Sequence, residues 1–194
     1  MDYHKIDRIF PGLEPSLCNT LKKRLEQLDE SLEAHKIQLD LDDIHQTQLI
    51  KVFLYSEFVC SSTLKDPSIL KELIESGDLL KSYSDHTYKN RLKILPDKDM
   101  NLDQVKSFLL TTKIKETIRI AWRDLAMDTP LAETLSDLSN LADAVLDSAV
   151  EASYRELEGM YGTPVDSEGN FQGLIVLGMG KLGARELNFS SDVD

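Results

Sequence analysis

The sequence predicts a mainly α-helical protein whose last residues begin an α/β domain. Apolar residues recur at spacings of three and four along most of the 194 residues, and alternating β-branched stretches are almost absent. Near the end, residues 174–178 ("LIVLG") are apolar, rich in β-branched residues and stopped by glycine, which is typical of a buried strand. We therefore predict a helical domain at 1–165 and the first strands of an incomplete α/β core at 172–194.

The first half of the chain carries three helical patterns. One apolar stripe occupies residues 13–28, and a second occupies residues 49–59. A short helix is predicted after Pro67, because proline suits the first turn of a helix, and it is expected to end at Gly77. Between residues 83 and 101 the helical pattern fails, so we predict a loop or a partly ordered connection there.

Two long helices are predicted in the second half. The first runs from about Leu102 to Met127. The second begins at "DTPL", where Thr129 can cap exposed N–H groups and Pro130 suits the first helical position because it has no N–H to leave unbonded. Its apolar face continues to about Tyr161. Clustered glycine and proline residues then predict a turn or hairpin, which we take as the domain boundary.

Composition and charge exclude several classes of protein. The formal net charge of −12 argues against a nucleic-acid or anionic-membrane surface, since both would repel the chain. The acidic stretch at 124–160 is interpreted as a solvated helix face, with an acidic docking surface as the alternative. Cys18 and Cys60 form no metal-binding or disulfide pattern, and no leader or membrane span is recognisable. We expect a cytoplasmic protein without nucleic-acid or membrane partners.

The glycines near the end are spaced as in a dinucleotide-binding fingerprint. Gly178, Gly180 and Gly183 fit the pattern G-x-G-x-x-G. A Rossmann fold, however, needs a complete helix and a second strand before an acidic residue about 20 positions on. Asp192 follows Gly183 too soon for that. We therefore disfavour an oxidoreductase that binds a dinucleotide.

A site that binds phosphate and a metal ion accounts for both the glycines and the aspartates. In a strand, side chains alternate between faces, so Asp192 and Asp194 would project to the same side. Two carboxylates on one edge are suited to Mg²⁺, which takes oxygen ligands from one or two carboxylates and from substrate phosphates. The glycine turn and a short helix after Gly183 would direct N–H groups towards a phosphate. Further donors are available, so the candidate phosphate-binding residues are Gly178, Gly180, Lys181, Ser190 and Ser191.

These residues lie in a motif that resembles a known family. "GMGKLGARELNFSSDVD" is similar to the N-terminal nucleotidyltransferase motif of the bifunctional glutamine synthetase adenylyltransferase/adenylyl-removing enzymes. That family has two polymerase-β-like domains, and "ELNFSSD" resembles the first domain more than the second, which usually reads closer to "ELGYSSD". Upstream, "YSEFV" (55–59), "IRIAW" (118–122) and "YGTP" (161–164) also resemble family landmarks in the same order.

The resemblance implies a specific reaction. The first domain of such enzymes removes AMP from a tyrosine of adenylylated glutamine synthetase by phosphorolysis and releases ADP, whereas the second attaches AMP from ATP. The PII signal protein and glutamine govern the balance. By motif, Asp192 and Asp194 would be the catalytic magnesium ligands, while Gly178, Gly180 and the Ser190–Ser191 pair would line the phosphate site.

The chain departs from the family pattern in two respects. Ala184 stands where the family commonly has glycine, which matters only if that position needs a positive φ. The third metal-binding carboxylate, the remaining strands and the second domain would lie beyond Asp194. We therefore expect an amino-terminal fragment that is inactive by itself. The alternative function is a helical interaction module that docks glutamine synthetase or a regulator without catalysis.

Overall fold

The protein is mainly helical in the residues that its computed structural model describes, which are 4–84, 86–93 and 100–191. In these residues the helices are α1 (His4–Ile9), α2 (Pro15–Ala34), α3 (Asp43–Tyr55), α4 (Glu57–Lys65), α5 (Ser68–Glu75), a 3-10 helix (Asp78–Leu80), α6 (Thr87–Lys93), α7 (Leu102–Ala126), α8 (Leu131–Tyr161) and α9 (Gly180–Gly183). This confirms the predicted mainly α class. Among the described helices, none has the length and apolar character needed to cross a membrane.

The chain packs into two compact units. The first unit consists of Met1–Lys81 with Thr117–Leu131, and the second consists of Ser82–Glu116 with Ala132–Asp194. Helix α7 therefore contributes its residues 117–126 to the first unit and its residues 102–116 to the second. The predicted domain bounds, 1–165 and 172–194, are a different division and stay a prediction.

The core of the first unit is built from the stripes that the sequence predicts. Leu21, Leu25 and Leu28 line one face of α2 at helical spacing and are at most 1% exposed. The stripe at 49–59 is divided between α3 and α4, because Ser56 is extended and its side chain accepts a hydrogen bond from the Val59 N–H. Two members of the stripes stay exposed, Leu17 and Phe58.

Helix α2 ends in a left-handed turn at Lys36. Its φ is 54°, a region that side chains with a Cβ disfavour. The Ile37 N–H donates to the Leu32 carbonyl at 2.9 Å, and the Lys36 N–H donates to the Glu33 carbonyl at 3.0 Å. This is the pairing of a Schellman motif, in which glycine is the usual residue at the left-handed position.

We expect Lys36→Gly to raise the free energy of unfolding by about 1 kcal/mol, because glycine adopts this conformation without the Cβ clash. Lys36→Ala is the matched control: it removes the same exposed side chain but keeps the Cβ, so it should give no such gain. Urea unfolding of the three proteins measures the difference. Equal stability of the glycine and alanine variants would contradict the prediction.

The predicted loop at 83–101 contains a helix. Helix α6 is only two turns long, which is too short for a periodic pattern to stand out in the sequence. Tyr88 and Leu92 lie one turn apart on it and are each 1% exposed. Burial of these two side chains explains why the segment is helical, and the loop prediction is wrong there. The rest of that prediction falls in part on residues 94–99, which lie outside the described residues.

The two long helices follow the prediction closely, but Thr129 does not cap α8. Its hydroxyl donates instead to the Arg123 carbonyl at 2.9 Å, near the end of α7. The Thr129 N–H reaches the same carbonyl at 3.4 Å. Pro130 directly precedes Leu131, where α8 begins. Thr129 therefore closes one helix rather than opening the next.

The predicted turn after α8 is confirmed. Val165 and Phe171 form an isolated antiparallel bridge, and the Asp166 side chain organises the residues between them. Its carboxylate accepts the Asn170 N–H at 2.9 Å and the Glu168 N–H at 2.8 Å. The bonds from the backbone and side chain of Asn170 are the main reason that the pKa of Asp166 lies below its usual value.

The strand predicted at 174–178 is absent from the described part of the chain. Residues 172–179 have no regular secondary structure, and Ile175 and Leu177 are each 79% exposed. A strand needs a neighbour to bond its backbone groups, and no described segment pairs with these residues. The Leu174 N–H instead donates to the hydroxyl of Tyr154 on α8. The second predicted strand, with Asp192 and Asp194, lies outside the described residues.

Candidate functional site

The candidate site follows the exposed 174–178 segment and begins with a glycine turn. Gly180 has φ of 56° and starts α9, a helix of four residues. Gly178, Gly180 and Lys181 are all exposed. Their backbone is therefore accessible to a ligand. The helix was predicted after Gly183 but ends there, and so short a helix adds little dipole to whatever its N–H groups contact.

Gly183 is the residue that makes the turn close. A Cβ at this position would lie 2.4 Å from the Gly178 carbonyl oxygen, a separation that no side chain tolerates. The Gly183 N–H donates to the Met179 carbonyl at 3.3 Å. The third glycine of the spacing is thus required by close backbone approach, which is a different reason from nucleotide binding.

We expect Gly183→Ala to open the turn, because the clash is with backbone and no flexible side chain can move away. The amides that should lose protection from hydrogen exchange are those of Ala184 and Glu186, which donate to Gly180 and Lys181 at 3.0 and 2.8 Å. Gly159→Ala is the matched control, because a Cβ there meets nothing within 4 Å. Since glycine weakens a helix by roughly 0.5–1 kcal/mol relative to alanine, this variant should be slightly more stable and should leave exchange at 184–186 unchanged. Unchanged exchange at 184–186 in Gly183→Ala would contradict the prediction.

The residues after the turn resolve the doubt about Ala184. Ala184 has φ of −81°, so alanine fits without strain. The left-handed residue is Arg185, with φ of 59°. Its N–H donates to the Leu182 carbonyl at 3.0 Å and the Glu186 N–H donates to the Lys181 carbonyl at 2.8 Å, which again is the Schellman pairing. Here the usual glycine is replaced by a long cation.

Arg185 connects the site to helix α8. Its guanidinium donates to the Asp143 carboxylate at 3.1 Å and to the Asn140 side-chain oxygen. Next to it, Leu187 is 5% exposed, and its N–H donates to the Ser139 hydroxyl at 3.4 Å. Sequence reasoning missed this contact. Arg185 and Asp143 are 42 positions apart, and no motif spacing signals a pair so distant.

The two serines of the candidate site are held by Asn188. The Asn188 Oδ1 accepts the Ser190 hydroxyl at 3.0 Å and the Ser191 hydroxyl at 2.8 Å. The Asn188 N–H donates to the Ser191 oxygen at 3.2 Å. Each serine hydroxyl has one proton, so donation to a phosphate requires exchange of its bond to Asn188.

The metal prediction rests on residues that lie outside the described ones, namely Asp192 and Asp194. Among residues 4–84, 86–93 and 100–191, no three His, Cys, Asp or Glu side chains are grouped so that they could hold a metal ion. The donor chemistry of the two aspartates does fit Mg²⁺, which prefers carboxylate oxygen.

Comparison with known proteins identifies the chain's relatives. The profile of the family described as glutamate-ammonia ligase adenylyltransferase matches residues 46–194. A bifunctional glutamine synthetase adenylyltransferase/adenylyl-removing enzyme of Pseudomonas putida is 35% identical over 188 residues, covering 95% of this chain and 19% of the relative. The enzyme of the same name from Nitrosococcus oceani is 36% identical, covering 98% of this chain and 19% of the relative.

A third relative with that name, from Thioalkalivibrio sulfidiphilus, is 36% identical and covers 91% of this chain and 20% of its own length. The chain therefore spans about a fifth of the length of these curated relatives. The match at 46–194 includes most of α3, all of α4 to α9 and the whole candidate site. The chain belongs to the glutamate-ammonia ligase adenylyltransferase family.

Proposed function

We propose that this chain belongs to the adenylyl-removing half of an enzyme that adenylylates and deadenylylates glutamine synthetase. The observation that carries the proposal is the stretch 178–194, in which a close glycine turn precedes an Asp-x-Asp pair. The "ELNFSSD" sequence within it resembles the first of the family's two nucleotidyltransferase motifs. The names of the relatives support glutamine synthetase as the protein substrate.

The proposed reaction is phosphorolysis of a phosphodiester. An oxygen of inorganic phosphate attacks the adenylyl phosphorus, the bond from that phosphorus to the tyrosyl oxygen breaks, and the tyrosyl oxygen takes a proton. The products are ADP and unmodified tyrosine. The exposed N–H groups near Gly178 and Gly180 and the ammonium of Lys181 would contact phosphate oxygens. Ser190 and Ser191 would add donors after exchange from Asn188.

Asp192 and Asp194 would hold Mg²⁺, which when bound polarises the phosphorus centre and stabilises charge on the leaving oxygen. ATP and ADP are the nucleotides of the paired reactions, and the PII signal protein is the proposed regulator. A cytoplasmic location is part of the proposal and agrees with free cysteines at 18 and 60. Burial raises the pKa of the Cys60 thiol to about 11, so this cysteine is unreactive.

The test uses the natural protein purified from its source organism, assayed with adenylylated glutamine synthetase, phosphate and Mg²⁺. We expect ADP release that requires phosphate, stops when the metal is chelated and returns when Mg²⁺ is restored. The reaction without phosphate is the control. Transfer of AMP from ATP with no phosphate-dependent ADP would assign the chain to the other half of the cycle. We expect the 194 residues alone to be inactive. If these residues bind glutamine synthetase stably and the protein from the cell releases no ADP, the alternative function as a docking module would be favoured.

A further inference from the structure

In the described stretch from the glycine turn to Ser191, the side chain of Arg185 makes a long-range polar contact with α8, beside the backbone contact of Leu187 with Ser139. The Arg185 guanidinium bonds two neighbouring side chains of one helix face, Asn140 and Asp143. Asn140 is 7% exposed, so this end of the contact is shielded from solvent. A planar guanidinium that donates to two acceptors fixes direction as well as distance.

Arg185 lies between the two parts of the candidate site, so its contact with α8 bears on both. The glycine turn ends immediately before it, and the Asn188 turn with Ser190 and Ser191 follows almost at once. Leu187 is buried beside it and its N–H reaches Ser139, one helical turn from Asp143. Arg185 and Leu187 therefore attach the chain to α8 at one place, with the glycine turn before it and the two serines after it.

We propose that Arg185 is a positioning residue of the candidate site, an inference that rests on the proposed function. Its side chain holds the link between the glycine turn and the Ser190–Ser191 pair against α8, so that both groups of phosphate donors keep a fixed position relative to this helix. The left-handed backbone at Arg185 supports this reading. A residue with a Cβ is strained there, whereas glycine would make the same turn freely. The turn therefore does not require arginine, and we attribute the arginine to its contact with α8.

The decisive variant is Arg185→Gly, which keeps or improves the turn and removes only the anchor. We expect Arg185→Gly and Arg185→Ala to lower kcat for ADP release by roughly 10- to 100-fold with little change in KM, because a misplacement of about 1 Å can cost 10²-fold. Arg185→Lys should rescue only part of the rate, since an ammonium cannot bond both acceptors in the same plane. The Leu187 amide should exchange faster in both anchor-free variants.

Lys89→Ala is the matched control. It removes another cation paired with α8, Lys89 with Asp147 at 2.9 Å. The exposure of Lys89 is similar to that of Arg185, but Lys89 is distant in sequence from the site. We expect wild-type kcat from it. A double-mutant cycle adds Asp143→Ala: this change should matter much less once Arg185 is glycine.

The outcomes separate the two proposals. Wild-type protein without phosphate-dependent ADP release overturns the proposed function and this inference with it. Active wild type with an equally active Arg185→Gly variant overturns the positioning role alone, because it shows that the reaction does not need the contact with α8. A loss of kcat in Arg185→Gly, together with faster exchange at Leu187 and unchanged exchange along α8, supports the inference.

Discussion

Replacing Asp192 or Asp194 by asparagine is expected to lower phosphate-dependent ADP release by roughly a thousandfold or more. The proposed metal contributes several kcal/mol of charge stabilisation in the transition state, and about 1.4 kcal/mol corresponds to a tenfold rate. Asparagine keeps the size of each side chain but removes its charge. Because both carboxylates would serve one metal site, the double variant should lose little more than either single variant.

The measurement is initial-rate ADP release as a function of Mg²⁺ concentration in the protein as its cell makes it. Any residual activity of the single variants should need more Mg²⁺ than the wild type. Asp40→Asn is the control, because it removes an exposed carboxylate that belongs to the first unit. Full activity in both site variants would exclude these aspartates as metal ligands and would move the removal chemistry to another part of the protein.

Trp122→Ala is expected to lower the free energy of unfolding by about 3–5 kcal/mol, the usual cost of truncating a buried aromatic side chain. Trp122 is fully buried in the core of the first unit. Its indole Nε1 donates to the Gln48 side-chain oxygen at 3.0 Å, also inside the core. Removal of the ring therefore leaves both a cavity and an unpaired amide.

Two further variants separate the cavity from the hydrogen bond. Trp122→Phe keeps most of the apolar volume but leaves the Gln48 oxygen without this donor, at a cost of about 1–3 kcal/mol. Adding Gln48→Leu removes the stranded acceptor, so the double variant should recover part of that loss. Unfolding followed by circular dichroism is suitable, since Trp122 is the chain's single tryptophan and its fluorescence is lost. No recovery in the double variant would mean that the hydrogen bond contributes little.

The long helices could be predicted because their information is local. The leucines of α2 and the apolar faces of α7 and α8 repeat over many turns, and the end of α5 is marked by a left-handed glycine at 77. Helix α6 escaped because two turns carry too few residues to display a period, and burial of Tyr88 and Leu92 decides its state. The Thr129 prediction was wrong because the carbonyl of Arg123, near the end of α7, lies within reach of the Thr129 hydroxyl and accepts its proton, a contact that the residue order does not reveal.

For the candidate site too, local features could be predicted from the sequence and long-range features could not. The sequence by itself determined the residue types of the site, from Gly178 to Asp194, because family motifs and glycine spacing are read directly from the order of residues. Tertiary structure alone decided that Gly183 must lack a Cβ, that the left-handed turn falls on Arg185 and not on Ala184, and that Arg185 bonds α8. These features depend on backbone approach and on pairing between residues more than 40 positions apart, and neither leaves a periodic or local pattern in a sequence.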